Sequence, residues 1–258
     1  MSSAAFVFVF EILTLAGSAL TALKLYKTGL YRRYRMFFLL FLFRVPNTIW
    51  PLLVDFHSQS YEKFWILTEP IVWVLYILVV FELYRLVMEK HRGLYSLGRW
   101  ILYVAVPVAV FISILTLIPH FKPTTPQHSR MLGYFFAIEH GVDFSLVIII
   151  LLILVFLSRY PVHLSRNVLV HVALYSIFFL CETLSVVLAS VFGVHIYADV
   201  ALLRTGIASA CGFAWFFLLT RKGEEVETNV PLFGADYERR ALQQLDALNA
   251  TLLRISRN

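Results

Sequence analysis

Seven long apolar segments, separated by short polar or basic stretches, dominate the pattern of this 258-residue chain. Each segment has roughly the 20 residues that an α-helix needs to cross a bilayer. The pattern therefore predicts an all-α integral membrane protein with seven transmembrane helices. The predicted crossings, numbered as segments 1 to 7, are Ala4–Leu25, Met36–Val54, Glu62–Met88, Trp100–Ile118, Met131–Leu157, Val168–Phe192 and Ile196–Leu219.

Basic residues are concentrated at alternate loops. The loop after segment 1 and its edges carry Lys24, Lys27, Arg32, Arg33 and Arg35. The next loop, 55–61, has neither lysine nor arginine. Because lysine and arginine accumulate in cytoplasmic loops, this distribution predicts an outside N-terminus, a cytoplasmic C-terminus and a place in the plasma or inner membrane. Residues 1–222 would form the transmembrane domain and 223–258 a cytoplasmic tail.

Composition narrows the function classes. Sixty per cent of the residues are hydrophobic and 15% are charged, against about half and about a quarter in soluble domains. The formal charge of +6 lies mainly in the loops, so it indicates topology rather than nucleic-acid binding. Cys181 and Cys211 fall inside predicted crossings, so no disulfide framework is expected. The chain has no HExxH motif, serine-hydrolase motif or zinc-type cysteine spacing, and we expect a protein without enzymatic activity.

Ionisable residues inside the predicted crossings are the main functional signal. Segment 5 brings Glu139, His140 and Asp143 into its first half and has no polar residue from Val147 to Leu157. Charged groups in lipid are costly and usually face a protein interior or a water-filled cavity. We therefore predict a ligand or ion pocket that opens to the outside. Its candidate residues are Glu11, Arg44, Glu69, Trp73, Glu139, His140, Asp143, Glu182, Asp199 and Arg204.

The charge balance of this predicted pocket suggests its chemistry. Six of the candidates are acids, and they outnumber the two arginines and the histidine. Either some of the acids are protonated or a cation lies among them. Alternatively the charges are structural, with Arg44 and Arg204 each neutralising a carboxylate, and Glu82 paired with Arg85. A metal site is less favoured, because Glu139 and His140 point about 100° apart on a helix. No cofactor is indicated.

The tail has the spacing of a short amphipathic helix. Leu245, Leu248, Leu252 and Ile255 recur at intervals of three and four, which places them on one helical face. Such a helix pairs subunits, docks on a protein partner, lies on a lipid surface or simply packs on the protein's own loops, and the sequence leaves these alternatives open. The lipid bilayer is the one partner that the whole pattern requires.

The sequence thus favours a receptor- or sensor-like membrane module with an outward-facing polar pocket and a cytoplasmic tail. A proton- or cation-coupled transporter of small solutes is the alternative that the intramembrane acids suggest. An accessory subunit of a larger membrane complex is a third, consistent with the short loops. Segment 7 carries Arg204 and no lysine, so the retinal attachment site of microbial rhodopsins is absent.

Overall fold

The structure, a computed structural model, describes residues 3–54, 59–88, 127–159, 164–192, 197–225 and 227–228, with isolated positions between 100 and 111 and at 243, 244 and 247. The described chain is helical apart from one pair of two-residue strands. Its long helices are α1 (Ser3–Thr28), α2 (Arg35–Leu53), α3 (Gln59–Val87), α4 (Gln127–Arg159), α5 (Arg166–Phe192) and α6 (Tyr197–Leu218). The short elements are a 3-10 turn (Leu30–Arg32), α7 (Lys222–Glu225), and the antiparallel strands β1 (Leu164–Ser165) and β2 (Glu227–Thr228).

Six of the predicted segments correspond to α1–α6, with ends that differ by a few residues. Three of the described helices contain stretches long and apolar enough to cross a bilayer, namely Phe8–Thr28, Lys63–Val87 and Arg166–Ser185, which indicates a membrane-embedded protein. Two shorter apolar stretches, Gly141–Leu157 and Leu202–Leu218, lie in α4 and α6. Segment 4 and the predicted tail helix lie outside the described residues, except for isolated helical positions.

The long helices pack in a closed ring. Around the ring the order is α1, α2, α3, α4, α5 and α6, and α6 returns to contact α1. Helix α3 also contacts α5 across the ring. Thus α3, α4, α5 and α6 are close enough to surround one common site.

The seam between α1 and α6 depends on small and hydroxyl side chains. A Cβ atom added to Gly17 would lie 3.5 Å from the backbone of Gly212, so the two helices meet almost backbone to backbone. Thr21 donates a hydrogen bond to the carbonyl of Gly212 at 3.1 Å, and the hydroxyls of Thr14 and Ser209 are 3.1 Å apart. Small residues allow helices to approach this closely in membranes.

One end of the bundle gathers the basic loops, and we call it the basic end. Helix α1 ends at Thr28 because Gly29 adopts a left-handed conformation with φ 77°, which turns the chain into the 3-10 turn. The strands β1 and β2 pair at the same end and bring the start of α5 beside the residues that follow α6.

An aromatic layer fills the interior just above the basic end. Phe37 packs edge-on against His171, with ring centroids 4.4 Å apart, and against Trp215 at 5.3 Å. Tyr34 lies over His171 at 4.6 Å, and Tyr175 contacts Trp215 at 4.8 Å. All five side chains are buried. This layer separates the middle of the bundle from the basic end.

Candidate functional site

Arg204 of α6 links three helices through carboxylates. Its Nη2 lies 3.1 Å from Oε1 of Glu139 on α4, and its Nε forms a short contact with Oε2 of Glu182 on α5. Both carboxylates are buried, whereas the side chain of Arg204 is 45% exposed. The guanidinium fork suits two acceptors at once, since it offers several donors in one plane.

Two further carboxylates lie near this bridge. Asp143 follows Glu139 by one turn of α4, is 6% exposed, and interacts electrostatically with Glu182, Glu139 and Arg204. It forms no hydrogen bond or ion pair with any other described residue. Glu69 of α3 interacts electrostatically with Glu139, Arg204 and Glu182, and it is half-buried. Four carboxylates from three helices therefore share one region of the bundle interior.

Arg44 lies beside this region but has a different partner. Its guanidinium donates a short hydrogen bond to the hydroxyl of Tyr76. It also lies over the rings of Tyr76 and Phe178, at 5.5 and 5.6 Å from their centroids. Stacking of this kind is worth about 0.5–2 kcal/mol. Arg44 acts on Glu69 and Glu182 only at longer range, so the expected direct neutralisation of one carboxylate by each arginine holds for Arg204 but not for Arg44.

We refer to Arg44, Glu69, Glu139, Asp143, Glu182 and Arg204 together as the ion cluster. Its four acids outnumber its two arginines. In a poorly solvated interior an excess of like charge is strongly unfavourable. The excess of acids over arginines makes the ion cluster the candidate functional site among the described residues.

The other predicted site residues are placed as follows. Trp73 is buried on α3, one turn after Glu69 of the ion cluster. Glu11 is half-buried on α1 and is not part of the ion pairs of the cluster. Asp199 is exposed in the first turn of α6. His140 lies on α4, but its side chain is outside the described residues. Within the described part of the chain, no group of three or more metal-ligating side chains is arranged to hold a metal ion.

A second polar cluster, at the basic end, was not foreseen from the sequence. Glu224 of α7 accepts hydrogen bonds from the hydroxyl of Tyr34 at 2.5 Å and from Nδ2 of Asn167 at 2.7 Å. Its other oxygen lies 3.0 Å from Nε of Arg33. Asn167 is fully buried. Its Nδ2 also donates a hydrogen bond to the carbonyl of Thr220 at 2.8 Å, and its Oδ1 accepts one from the N–H of Thr220 at 3.3 Å. These residues tie the start of the tail to the first loop and to α5.

We call this second cluster the tail anchor, defined as Arg33, Tyr34, Asn167, Thr220, Gly223 and Glu224. Burial, reinforced by the hydrogen bond to Glu224, raises the pKa of the Tyr34 hydroxyl above its usual value near 10. A Cβ atom at Gly223 would lie 2.4 Å from Oδ1 of Asn167. The backbone therefore approaches Asn167 so closely that only glycine fits without a shift of its neighbours.

Glu82 also has an unexpected partner. Its carboxylate accepts hydrogen bonds from the backbone N–H groups of Arg35, Met36 and Phe37, at 2.8, 3.1 and 3.2 Å respectively. These are the unpaired amides that begin α2, and the helix dipole favours a negative charge there. Glu82 thus caps a neighbouring helix and does not serve simply as the partner of Arg85. A carboxylate near the end of an apolar segment, such as Glu82, is well placed to cap the start of a neighbouring helix. The sequence alone does not show which helix begins beside it.

Comparison of the chain with protein-family models, with curated proteins and with solved structures gives no match. The function must therefore be inferred from the two clusters themselves.

Proposed function

We propose that this protein is a receptor- or sensor-like membrane module without enzymatic activity. In this proposal it crosses the plasma or inner membrane seven times, with the N-terminus outside and the tail in the cytoplasm. The ion cluster forms an outward-facing polar pocket. When a ligand binds in that pocket, the geometry of the tail anchor changes, and this change is transmitted to the cytoplasmic tail.

The direction of the helices supports an odd number of crossings. Helix α3 ends at the basic end, where Glu82 caps α2, and α4 is followed there by β1. Two helices that end on the same side need a connection that returns to the opposite side. The 39-residue interval 88–126 includes segment 4 and is long enough for that return crossing.

The depth of the ion cluster supports an outward pocket. Its residues on α4, α5 and α6 lie roughly 14–20 residues from the basic ends of those helices, or about 20–30 Å at the rise of an α-helix. The interval towards the basic end holds the aromatic layer, together with Leu146 and Ile150, which are almost completely buried. On these helices the cluster therefore lies nearer to the opposite end of the bundle than to the basic end.

The observation that carries the sensor proposal is that both clusters contain residues of α5 and residues of α6 or of the segment directly after it. Towards one end they are joined by the bridge between Glu182 and Arg204, and at the other end by the bonds between Asn167 and Thr220. A ligand that weakens the first bridge would allow α5 to move relative to α6. Such a movement would change the geometry that holds Glu224, since packed helices shift as rigid elements.

The test is a reporter placed at the exposed Glu225. A cysteine there, in a chain with Cys181 and Cys211 replaced by alanine, is labelled with an environment-sensitive fluorophore and followed in proteoliposomes. External pH and the concentrations of sodium, potassium, magnesium and calcium ions are varied in turn. We expect at least one of these changes to alter the emission, Glu182→Gln to abolish the response, and Asp199→Asn to leave it intact.

A well-folded protein whose emission is insensitive to every external condition would refute the sensor proposal. So would a response of equal size in Glu182→Gln, because the signal would then not pass through the ion cluster. The labelled chain is first checked for the same thermal unfolding midpoint as the unlabelled chain.

The excess of carboxylates favours one alternative, a proton- or cation-coupled transporter. Asp143 is buried without a direct partner among the described residues, as expected for a group that is loaded and unloaded in each cycle. Flux driven by a pH or cation gradient in proteoliposomes, present in the wild type and lost in Glu182→Gln, would establish this alternative. No flux in either protein, together with a responsive tail reporter, would support the sensor.

A further inference from the structure

A groove between the start of α2 and the end of α3 opens at the basic end, apart from both clusters. It has a volume of about 430 Å³. Three arginines line it, Arg32, Arg35 and Arg85, and all three are exposed. Its apolar wall includes Leu78 and Phe81 of α3. We call it the arginine groove.

The charge of the groove is not balanced by its own lining. Glu82 is the one carboxylate among the lining residues, and both of its oxygens accept hydrogen bonds from the backbone that begins α2. Its charge is therefore shared with the positive end of a helix dipole as well as with Arg85. Arg32 donates a hydrogen bond to the hydroxyl of Tyr31 at 3.3 Å, which leaves its positive charge without a counter-ion among the described residues. The lining therefore has an excess of positive charge around an opening that is large enough for a phosphate headgroup.

The apolar side of the groove continues along the outer face of α3. Leu67, Ile71, Val74 and Leu78 recur at spacings of four, three and four, and each is exposed. This stripe runs from the arginine groove towards the opposite end of the bundle, within the stretch Lys63–Val87 that is long and apolar enough to cross a bilayer. A ligand that matches both parts has an anionic head and a long apolar chain.

We infer that the arginine groove binds an anionic phospholipid, with its phosphate among Arg32, Arg35 and Arg85 and an acyl chain along the stripe on α3. Basic pockets between helices at the cytoplasmic face of membranes recognise such headgroups, and the guanidinium fork matches the geometry of a phosphate. The inference needs only that the chain is embedded in a membrane, and it does not depend on the sensor proposal.

A neighbouring cavity at the basic end has a more balanced charge than the arginine groove. It has a volume of about 400 Å³ and is lined by Arg32, Arg33, Arg221, Glu224 and Glu225. There Arg33 is paired with Glu224, and three arginines face two carboxylates. That cavity belongs to the tail anchor and has no comparable excess of positive charge.

The experiment compares lipid retention by the purified full chain. Native mass spectrometry counts phosphatidylglycerol and phosphatidylcholine bound from equimolar mixtures, and thermal unfolding is followed with each lipid added to the detergent. We expect the wild type to retain phosphatidylglycerol selectively and to unfold at a higher temperature in its presence. Arg35→Gln with Arg85→Gln should bind it about 30-fold more weakly, since each basic residue near an anionic lipid contributes about fivefold.

The matched control removes the same charge elsewhere at the basic end. Lys27→Gln with Lys222→Gln changes two exposed residues that do not line the groove, and it should retain phosphatidylglycerol nearly as the wild type does. Equal losses in the two double variants would overturn the inference, because general attraction would explain the binding. If the double arginine variant does not fold, the exposed Arg85→Gln alone should weaken binding about fivefold, and an unchanged affinity would overturn the inference.

Inorganic phosphate distinguishes a lipid site from a phosphate site. Phosphate at the same concentration should neither raise the unfolding temperature nor displace phosphatidylglycerol, because it lacks the chain that the stripe on α3 accommodates. Equal stabilisation by phosphate, with displacement of the lipid, would overturn the lipid assignment.

Discussion

The ion cluster and the tail anchor use the same residue types in opposite ways. In the tail anchor a single carboxylate, Glu224, receives contacts from Tyr34, Asn167 and Arg33. In the ion cluster four carboxylates share one bridging arginine and a second one engaged with Tyr76. Fully satisfied polar groups fix a structure, whereas an unbalanced buried group needs another explanation. The contrast is consistent with a stabilising role for the tail anchor and with the binding role that we propose for the ion cluster.

The most severe way to break the ion cluster is to remove its bridge. Arg204→Met leaves Glu139 and Glu182 without their partner, and we expect a loss of about 3 kcal/mol in unfolding free energy, at the lower end for a broken buried pair because Arg204 is partly exposed. Thermal unfolding in detergent measures it. Arg221→Met, which removes an exposed arginine at the basic end, is the control. Equal effects of the two changes would mean that the bridge is not stabilising.

The tail anchor should be nearly as sensitive at its central carboxylate. Glu224→Ala removes the acceptor of two hydrogen bonds and one ion pair, and we expect a loss of about 2 kcal/mol. Limited proteolysis should then cut the tail faster. Glu225→Ala, at the neighbouring exposed position, should change neither quantity appreciably. A tail protected equally in both variants would contradict the anchor.

The close approach at Gly223 permits a smaller test of the same cluster. In Gly223→Ala the new methyl would collide with Asn167, so we expect a loss of about 1–2 kcal/mol from overpacking. Gly206→Ala is a suitable control, because its methyl would meet the ring of Phe10 at an ordinary 3.7 Å. If the two alanine variants unfold alike, the contact of Gly223 with Asn167 is not as tight as described.

The smallest effect we predict is a pH dependence that belongs to the tail anchor. Because the pKa of Tyr34 is raised on folding, the unfolded chain loses this proton first. The contribution of Tyr34 to stability should therefore be constant below about pH 10 and fall above it. Unfolding measured from pH 8 to 10.5 should show a smaller fall in Tyr34→Phe. The exposed Tyr26→Phe should keep the wild-type profile. An identical profile in all three proteins would exclude Tyr34 as the source.

The pattern of apolar segments was sufficient to locate the long helices. Runs of about 20 apolar residues have few alternatives to a helix, so α1–α6 agree with six predicted segments. The sequence analysis also named Glu139, Asp143, Glu182 and Arg204 among the ten candidates for one pocket, and the structure brings these four close together. The sequence does not show which helices are neighbours, however, and so the pairing of Arg44 with Tyr76 and the exposed position of Asp199 required the structure.

The contacts at the basic end were beyond prediction for a related reason. Glu82 caps a helix that begins 47 residues earlier in the chain, and Glu224 bonds Tyr34 across 190 residues. Such partners are set by the order of helices around the ring rather than by any local spacing. Only the basic loops that surround them were visible in the sequence.

The seam between α1 and α6 has a consequence for how the bundle is assembled in a membrane. Its contacts join residues nearly 200 positions apart, including a hydrogen bond from Lys24 to the carbonyl of Phe216. Until α6 has been inserted, Thr14, Thr21 and Lys24 on α1 lack the partners that they have in the finished ring. The ring therefore closes only late in synthesis, and a chain interrupted before α6 would expose the polar face of α1 to lipid.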